Sequence, residues 1–236
     1  MNLKIAYIGL SLLMVIILIM IGFKVIDRAF TDNSTVRKKK GGLVFWSVLW
    51  HIYVYVMASS GILDNFDFPP RFFLFLILPL FIFTGVFIYL NRNNSWIKNI
   101  PEDWLIFYQS FRLLIESIFV FSVAEGILNK EVTIEGYNYD MVFAFTSPLI
   151  GYLTYKKLLS SKVLVVWNYA GLVVIASIIF LFLSSVFNPQ LFGSETMILP
   201  EGAVKYPYIL VAGFLMPSAV FIHVLSIVQL SKKKVL

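Results

Sequence analysis

Seven long apolar runs, separated by short polar connections, constrain this sequence more than any other feature. Each run is close to the roughly 20 residues that an α-helix needs to cross about 30 Å of hydrocarbon. The runs occupy about residues 5–26, 43–63, 72–90, 104–127, 141–159, 163–187 and 206–230. Because the connections leave no room for a soluble domain, we predict an all-α polytopic membrane protein whose residues 1–236 form a single domain of seven transmembrane helices.

The composition excludes most soluble classes. Hydrophobic residues make up 59% of the chain and charged residues 14%, against roughly 45–50% and 25% in soluble domains. A soluble domain of this length has too little interior to hide so much apolar surface, so part of that surface must face lipid. The chain has no cysteine, which excludes disulfides, thiolate metal sites and cysteine nucleophiles.

The lysines and arginines are distributed unevenly among the connections. Most fall on one side of the predicted membrane, among them the run Arg37, Lys38, Lys39 and Lys40 after the first span. Because basic residues collect on the cytoplasmic side, this distribution predicts the N-terminus outside and the C-terminus inside. The net charge of +6 then reflects a membrane asymmetry, and nucleic acid is not an expected partner. The basic run is an orientation signal, and contact with anionic lipid headgroups is a second interpretation.

Polar side chains lie at a similar depth in five of the predicted spans. Gln109, Arg112 and Glu116 share one face of span 4 because they are three or four residues apart. His51 and Arg112 each lie about eight residues from the predicted inner edge, or roughly 12 Å deep. We therefore expect spans 2 and 4–7 to surround a polar cavity in the inner half of the membrane, with spans 1 and 3 outside. The predicted site residues are Arg112, Glu116, Gln109, His51, His223, Asn168 and Tyr152.

Charged side chains inside a bilayer need partners, so this layer is the main functional clue. The leading hypothesis is a transporter-like or sensor-like protein that binds or moves a small ligand, an ion or a proton. In it Arg112 holds an anionic group, Glu116 is a counter-ion or proton acceptor, and His51 and His223 titrate or donate hydrogen bonds. Two alternatives stay open: a membrane-embedded enzyme acting on a lipid or quinone, and a structural or assembly subunit without a site.

No sequence motif calls for a cofactor, and we predict none. The enzyme alternative would use b-type haem held by His51 and His223, or zinc held by these two histidines and Glu116. Retinal is excluded because residues 206–230 contain no lysine for a Schiff base.

The connection before the fifth span groups Glu135, Asn138 and Asp140. We interpret Asp140 as the N-cap of that span, in preference to an outward-facing mouth for a cation or substrate. Several motifs then resemble those of a family of uncharacterised bacterial seven-span integral membrane proteins. They are Gln109-x-x-Arg112-x-x-x-Glu116, Glu135-Gly136-x-Asn138-x-Asp140, Trp167-Asn168-x-x-Gly171-Leu172, and Tyr206-Pro207 through Pro217 to His223-x-x-Ser226. The resemblance implies a bacterial cytoplasmic (inner) membrane and no particular activity.

Overall fold

The computed structural model of the protein describes residues 2–233, which form helices and loops without a β-strand in that range. Two π-helical segments run directly into helices: Phe73–Ile77 into α3 and Val211–Leu215 into α9. The α-helices are α1 (Leu3–Ala29), α2 (Asn33–Ser59), α3 (Leu78–Asn91), α4 (Glu102–Tyr108), α5 (Phe111–Ala124), α6 (Asp140–Ala144), α7 (Thr146–Tyr155), α8 (Ser161–Phe187) and α9 (Met216–Lys233).

Within residues 2–233, six helical segments are long and apolar enough to cross a membrane, so the chain is a multi-pass membrane protein. They are Leu3–Ala29, Asn33–Ser59, Phe73–Asn91, Glu102–Ala124, Ser161–Phe187 and Val211–Lys232. The predicted fifth span is not among them, because its helix is divided into α6 and α7 at Phe145. Pro148 explains the break: proline lacks an N–H and its ring collides with the carbonyl group four residues earlier, that of Ala144.

Helix directions follow from contacts at the two ends of the bundle. The Tyr7 hydroxyl near the start of α1 hydrogen-bonds the Ser122 hydroxyl near the end of α5 at 2.8 Å. At the other end of α1, Arg28 Nη1 donates to the Asn99 carbonyl oxygen at 2.9 Å. The α4–α5 segment is therefore antiparallel to α1. The Gln229 amide near the end of α9 donates to the carbonyl of Ile100, so α9 ends beside the end of α1.

We name the two ends of the bundle by their connections. The basic end contains connections 30–32, 92–101 and 156–160, and the acidic end contains 60–72, 125–139 and 188–210. At the acidic end Lys205 pairs with Asp64, and the Asn129 amide donates to the Ile198 carbonyl oxygen at 2.6 Å. These contacts tie the acidic-end connections to one another.

The most buried helices are α4–α5 and α9. In each, 56% of the most apolar stretch is buried, whereas in α2 the share is 11%. Val54 and Ala58 are the buried residues of α2. The expectation that α2 lines the interior is therefore wrong: α2 lies at the periphery, more exposed than α1 or α3.

Two aromatic residues of α2, Trp50 and Tyr53, donate hydrogen bonds to carbonyl groups that prolines leave without a helical partner. Pro79 has no N–H to donate to the carbonyl group of Phe75, four residues earlier in the helix. Pro217 likewise has none to donate to the carbonyl group of Gly213. The Tyr53 hydroxyl donates to the Phe75 oxygen at 3.1 Å, and Trp50 Nε1 donates to the Gly213 oxygen at 2.7 Å. A free carbonyl group within a membrane needs such a partner. Trp50 and Tyr53 thus donate to backbone carbonyl groups of the neighbouring helices.

Candidate functional site

The site begins at a break in the fourth span. Between α4 and α5 the backbone hydrogen bonds tighten to a three-residue spacing, from the Gln109 N–H to the Ile106 oxygen at 3.0 Å and from the Arg112 N–H to the Gln109 oxygen at 3.1 Å. Such 3₁₀ geometry inside a helix marks a local change of direction. It places Arg112 in the first turn of α5, within the bundle.

Arg112 forms a buried ion pair with Asp140. Both side chains are almost fully enclosed, with exposures of 2% and 8%. Arg112 Nε donates to Asp140 Oδ2 at 3.1 Å, and Nη2 bonds the other carboxylate oxygen. This two-point geometry is the strongest form of arginine–carboxylate contact. Asp140 is thus not the N-cap that we expected; α6 begins after Tyr139 without a side-chain cap.

His223 extends the network from α9 to α8. Its Nε2 lies 3.3 Å from Arg112 Nη1, and its Nδ1 lies 2.9 Å from Asn168 Oδ1. The Asn168 amide nitrogen donates to the Ser226 hydroxyl at 3.1 Å, which leaves Oδ1 as an acceptor. Nδ1 must therefore carry the hydrogen, and Nε2 accepts from Arg112. This pattern describes an uncharged imidazole with both nitrogens engaged.

Gly171 permits this packing of α9 against α8. A Cβ atom there would overlap the His223 ring and would lie 2.9 Å from Phe143 Cζ. The Phe143 ring covers the guanidinium group of Arg112 at 4.9 Å from Cζ to the ring centroid. Trp167 stacks on Phe143 at 4.9 Å, and its indole N–H donates to Thr146 Oγ1 at 2.8 Å. The stacked rings of Phe143 and Trp167 thus cover one face of the Arg112 guanidinium group.

Glu116 lies one helical turn beyond Arg112 and is 2% exposed. Its carboxylate oxygens accept from Asn138 Nδ2 at 3.1 and 3.3 Å. Asn138 Oδ1 in turn accepts from the backbone N–H of Asp140 at 2.9 Å, so the amide links the two acids. Among the described residues, Glu116 forms no ion pair. It is a buried acid whose hydrogen-bond partner is a neutral amide.

The connection 125–139 folds inward to deliver Asn138. Gly136 packs directly on backbone, since a Cβ atom there would lie 2.5 Å from Glu131 Cα. The N–H groups of Gly136 and Asn138 both donate to the Thr133 oxygen, at 3.0 and 3.1 Å. A residue other than glycine at 136 would push the turn apart, so the Glu135-Gly136-x-Asn138-x-Asp140 motif holds the fold of this connection.

A cavity of about 120 Å³ borders Glu116, and its lining includes Leu128 and Val204 of the acidic-end connections. The tyrosine and charged side chains in its lining are Tyr7, Arg112, Glu116, Asp140 and Tyr208, and the rest of the lining is apolar. A cavity needs about 10–15 Å³ of such volume to admit one water molecule, so a few water molecules fit beside Glu116. The sequence predicts the polar layer in the half of the membrane nearer the basic connections. The contact of Glu116 with Asn138 instead places the layer from mid-span toward the acidic end.

The structure brings four of the seven predicted site residues into one network: Arg112, Glu116, Asn168 and His223. Gln109 is buried beside it, where its Nε2 donates to the Ala219 carbonyl oxygen at 3.0 Å, one turn before His223. Tyr152 is 53% exposed on the outer side of α7 and does not join. Asp140 and Asn138 were missed as members, because nothing in the sequence shows how far a connection enters the bundle.

His51 also lies outside the network. Its Nδ1 is 2.8 Å from the Ser47 carbonyl oxygen and its ring packs against Phe214 at 4.7 Å. Phe214 is nine residues before His223, or roughly 13 Å along a helix axis. The two histidines therefore do not face each other as axial haem ligands would. Within residues 2–233, no three His, Asp or Glu side chains are grouped so as to hold a metal ion.

Comparison of the chain with protein-family models, with curated proteins and with solved structures finds no match.

Proposed function

We propose that this membrane protein binds and moves a proton or a small cation, with the Glu116 carboxyl group as the exchanging site. The observation that carries the proposal is a count of buried charge. Among the described residues, this network holds two acids, Glu116 and Asp140, against one base, Arg112, and His223 accepts a hydrogen bond from that base. A buried charge without a counter-charge is unfavourable in a membrane. A proton or a cation on Glu116 balances the site.

The contacts of the two acids suggest different roles. Asp140 is held by two hydrogen bonds from Arg112 and is already neutralised. Glu116 borders the cavity, and within residues 2–233 its hydrogen-bond partner is Asn138. Exchange at Glu116 therefore leaves the Arg112–Asp140 pair intact. The earlier hypothesis that Arg112 holds an anionic ligand has less support, because the guanidinium group is occupied by Asp140, His223 and the Phe143 ring.

The proposal includes seven crossings, an outside N-terminus and an inside C-terminus, in a bacterial cytoplasmic membrane. The start of α1 contacts the end of α5, while the end of α9 contacts Ile100 at the basic end. An odd number of crossings fits ends that lie apart in this way. Helices α6 and α7, together roughly 24 Å long at 1.5 Å per residue, would supply the seventh crossing. The lysine-rich basic end would then face the cytoplasm.

Ion flux into liposomes tests the function. Purified protein is reconstituted into liposomes loaded with a pH-sensitive dye or a sodium-sensitive dye, and a proton or sodium gradient is imposed. We expect flux above that of empty liposomes for one of these ions, and loss of that flux in Glu116→Gln. The matched control is Glu125→Gln, since Glu125 is an exposed acid at the end of the same helix.

Glu116→Gln keeps the size of the side chain and its oxygen for Asn138, so a folded variant is expected. Wild-type protein that conducts neither ion, or a Glu116→Gln variant that conducts like wild type, would overturn the proposal.

The second candidate is a structural subunit, favoured by the contacts of the Arg112 guanidinium group with Asp140, His223 and the Phe143 ring. Such polar networks also hold helices together in membranes. In that case substitutions of Glu116 do not alter ion flux. Substitutions of Arg112 or Asp140 then lower the free energy of unfolding without any effect on flux.

A further inference from the structure

A second cavity, separate from the Glu116 site, lies on the side of the bundle. It is a groove of about 750 Å³ between α1 and α3, with α9 as its floor. Its apolar walls include Leu18 and Val25 of α1, Phe83 and Phe87 of α3, and Phe221 of α9. Phe83 is 55% exposed, so this wall faces the surroundings of the bundle. In a membrane those surroundings are acyl chains.

The groove changes character at the basic end. There its lining is polar and includes Lys39, Asn91, Asn94 and Ser95. The Asn94 amide donates to Asn91 Oδ1 at 2.9 Å, which holds the two amides together. The groove therefore has a long apolar part and a short polar part with a cation. A phospholipid has the same order of groups, from acyl chain to phosphate.

The length of the groove fits one leaflet. Its lining on α1 runs from Leu18 to Phe30, which is roughly 18 Å at 1.5 Å per residue. Half of the hydrocarbon core of a bilayer is about 15 Å thick. The polar end thus lies at the depth of the lipid headgroups.

The charge at this end favours an anion. Of the basic run, Lys40 is engaged with Asp27 at 2.6 Å. Lys39 packs its ammonium group over the Phe30 ring at 4.6 Å, and among the described residues it forms no ion pair. Arg37 and Lys38 are exposed on the same turn of α2. Lys39 is therefore the cation of this run that lines the groove and is free to meet a phosphate.

We propose that this groove binds an anionic phospholipid from the leaflet at the basic end, with an acyl chain between α1 and α3 and the phosphate at Lys39. The site is independent of the function proposed for Glu116. Of the run Arg37, Lys38, Lys39 and Lys40, for which contact with lipid headgroups is the second interpretation, the proposal assigns that contact to Lys39.

Quenching of Trp96 fluorescence tests this site, because Trp96 lines the groove near its polar end. Purified protein in detergent is titrated with phosphatidylglycerol or phosphatidylcholine carrying brominated acyl chains. The contribution of Trp96 is the quenching that disappears in Trp96→Phe. We expect tighter binding of phosphatidylglycerol. Lys39→Gln removes one lysine–phosphate contact and should weaken the binding of phosphatidylglycerol about fivefold. Lys38→Gln is the matched control and should leave it unchanged.

A second variant tests the groove itself. Ala29 lines it beside the polar end, so Ala29→Phe should block the acyl chain and abolish the Trp96 quenching. Ala176→Phe, at an exposed position of α8 away from the groove, should not. Equal binding of the two lipids would mean that the anionic headgroup is not recognised, and equal effects of Lys39→Gln and Lys38→Gln would mean attraction to surface charge in general. Either result would overturn the proposal. So would absence of quenching by either lipid, the result expected if a second copy of the chain covered the groove.

Discussion

The indole N–H of Trp50 donates a 2.7 Å hydrogen bond to the carbonyl oxygen of Gly213, the group that Pro217 deprives of its helical partner. Tyr53 does the same for the Phe75 oxygen in the π-helical segment before Pro79. The two rings lie 5.1 Å apart on α2. The peripheral helix α2 thus supplies hydrogen-bond donors to the carbonyl groups that Pro79 and Pro217 leave without a partner in their own helices.

Replacing Trp50 should therefore destabilise the protein although α2 is largely exposed. Trp50→Phe keeps an aromatic ring but leaves the Gly213 oxygen without a donor. Interhelical hydrogen bonds in membranes average about 0.6 kcal/mol and an unsatisfied buried group costs about 1–3 kcal/mol, so we expect a loss of about 1 kcal/mol. The measurement is the free energy of unfolding in mixed micelles. Trp46→Phe, on the same helix at a position 66% exposed, is the control and should have little effect.

Gly171 should tolerate no side chain. In Gly171→Ala the new methyl group meets the His223 ring and Phe143, which must move. Overpacking of this kind costs about 1–3 kcal/mol. Thermal unfolding of the purified variant measures the loss. Gly9→Ala is the control, because a Cβ atom at Gly9 has no neighbour within 4 Å; a comparable loss there would contradict the steric explanation.

The Arg112–Asp140 pair should give a strongly non-additive double-mutant cycle. Asp140→Asn leaves a buried guanidinium group without its counter-charge, and breaking a buried pair in this way costs about 3–5 kcal/mol. Arg112→Gln leaves the carboxylate alone and should cost a similar amount. The double variant carries neither charge and should recover much of the loss. If the loss of unfolding free energy in the double variant equals the sum of the losses in the two single variants, the pair is not coupled.

The start of α2 should respond to pH through Asp32. The Thr35 side chain and N–H, the latter at 2.8 Å from Asp32 Oδ2, lower the pKa of this carboxyl group. Because the pKa is lower when α2 is formed, the capping contribution is present above the ordinary pKa of aspartate and is lost as pH falls through the lowered value. A carbon-13 titration of Asp32 should show a higher midpoint in Thr35→Ala. An unchanged midpoint would exclude Thr35 as the cause.

Much of the site could be predicted from residue spacing. Arg112 and Glu116 share a face of one helix, and each needs a partner inside a membrane, so both were expected in the interior. Asn168 and His223 followed from the same reasoning. His51 and Tyr152 satisfy the same criteria but lie outside the network, because spacing shows which residues share a face and not which neighbour that face meets. His51 contacts Phe214 and Ser11 in place of the network, and the face of α7 that carries Tyr152 is exposed.

Helix irregularities account for a further part of what spacing could not show. A π-helical turn adds one residue to a turn and rotates everything after it by about 100° relative to what precedes it. Val211–Leu215 is such a turn, so Phe214 and His223 cannot be related by a regular helical period. The break at Gln109 likewise shifts Arg112 relative to α4. Pro217 marks the first of these places, and the sequence does not state the size of the rotation.

The sequence by itself determined that the chain spans a membrane, because apolar runs of that length have no other stable environment, and it determined that a buried arginine and a buried acid would need partners. Only the tertiary structure decided that Asp140 is the partner of Arg112 and that Glu116 is left with the Asn138 amide beside a cavity. The physical reason is that hydrophobicity acts on each helix separately, whereas the pairing of charges depends on how far a connection folds inward and how each helix is rotated against its neighbours.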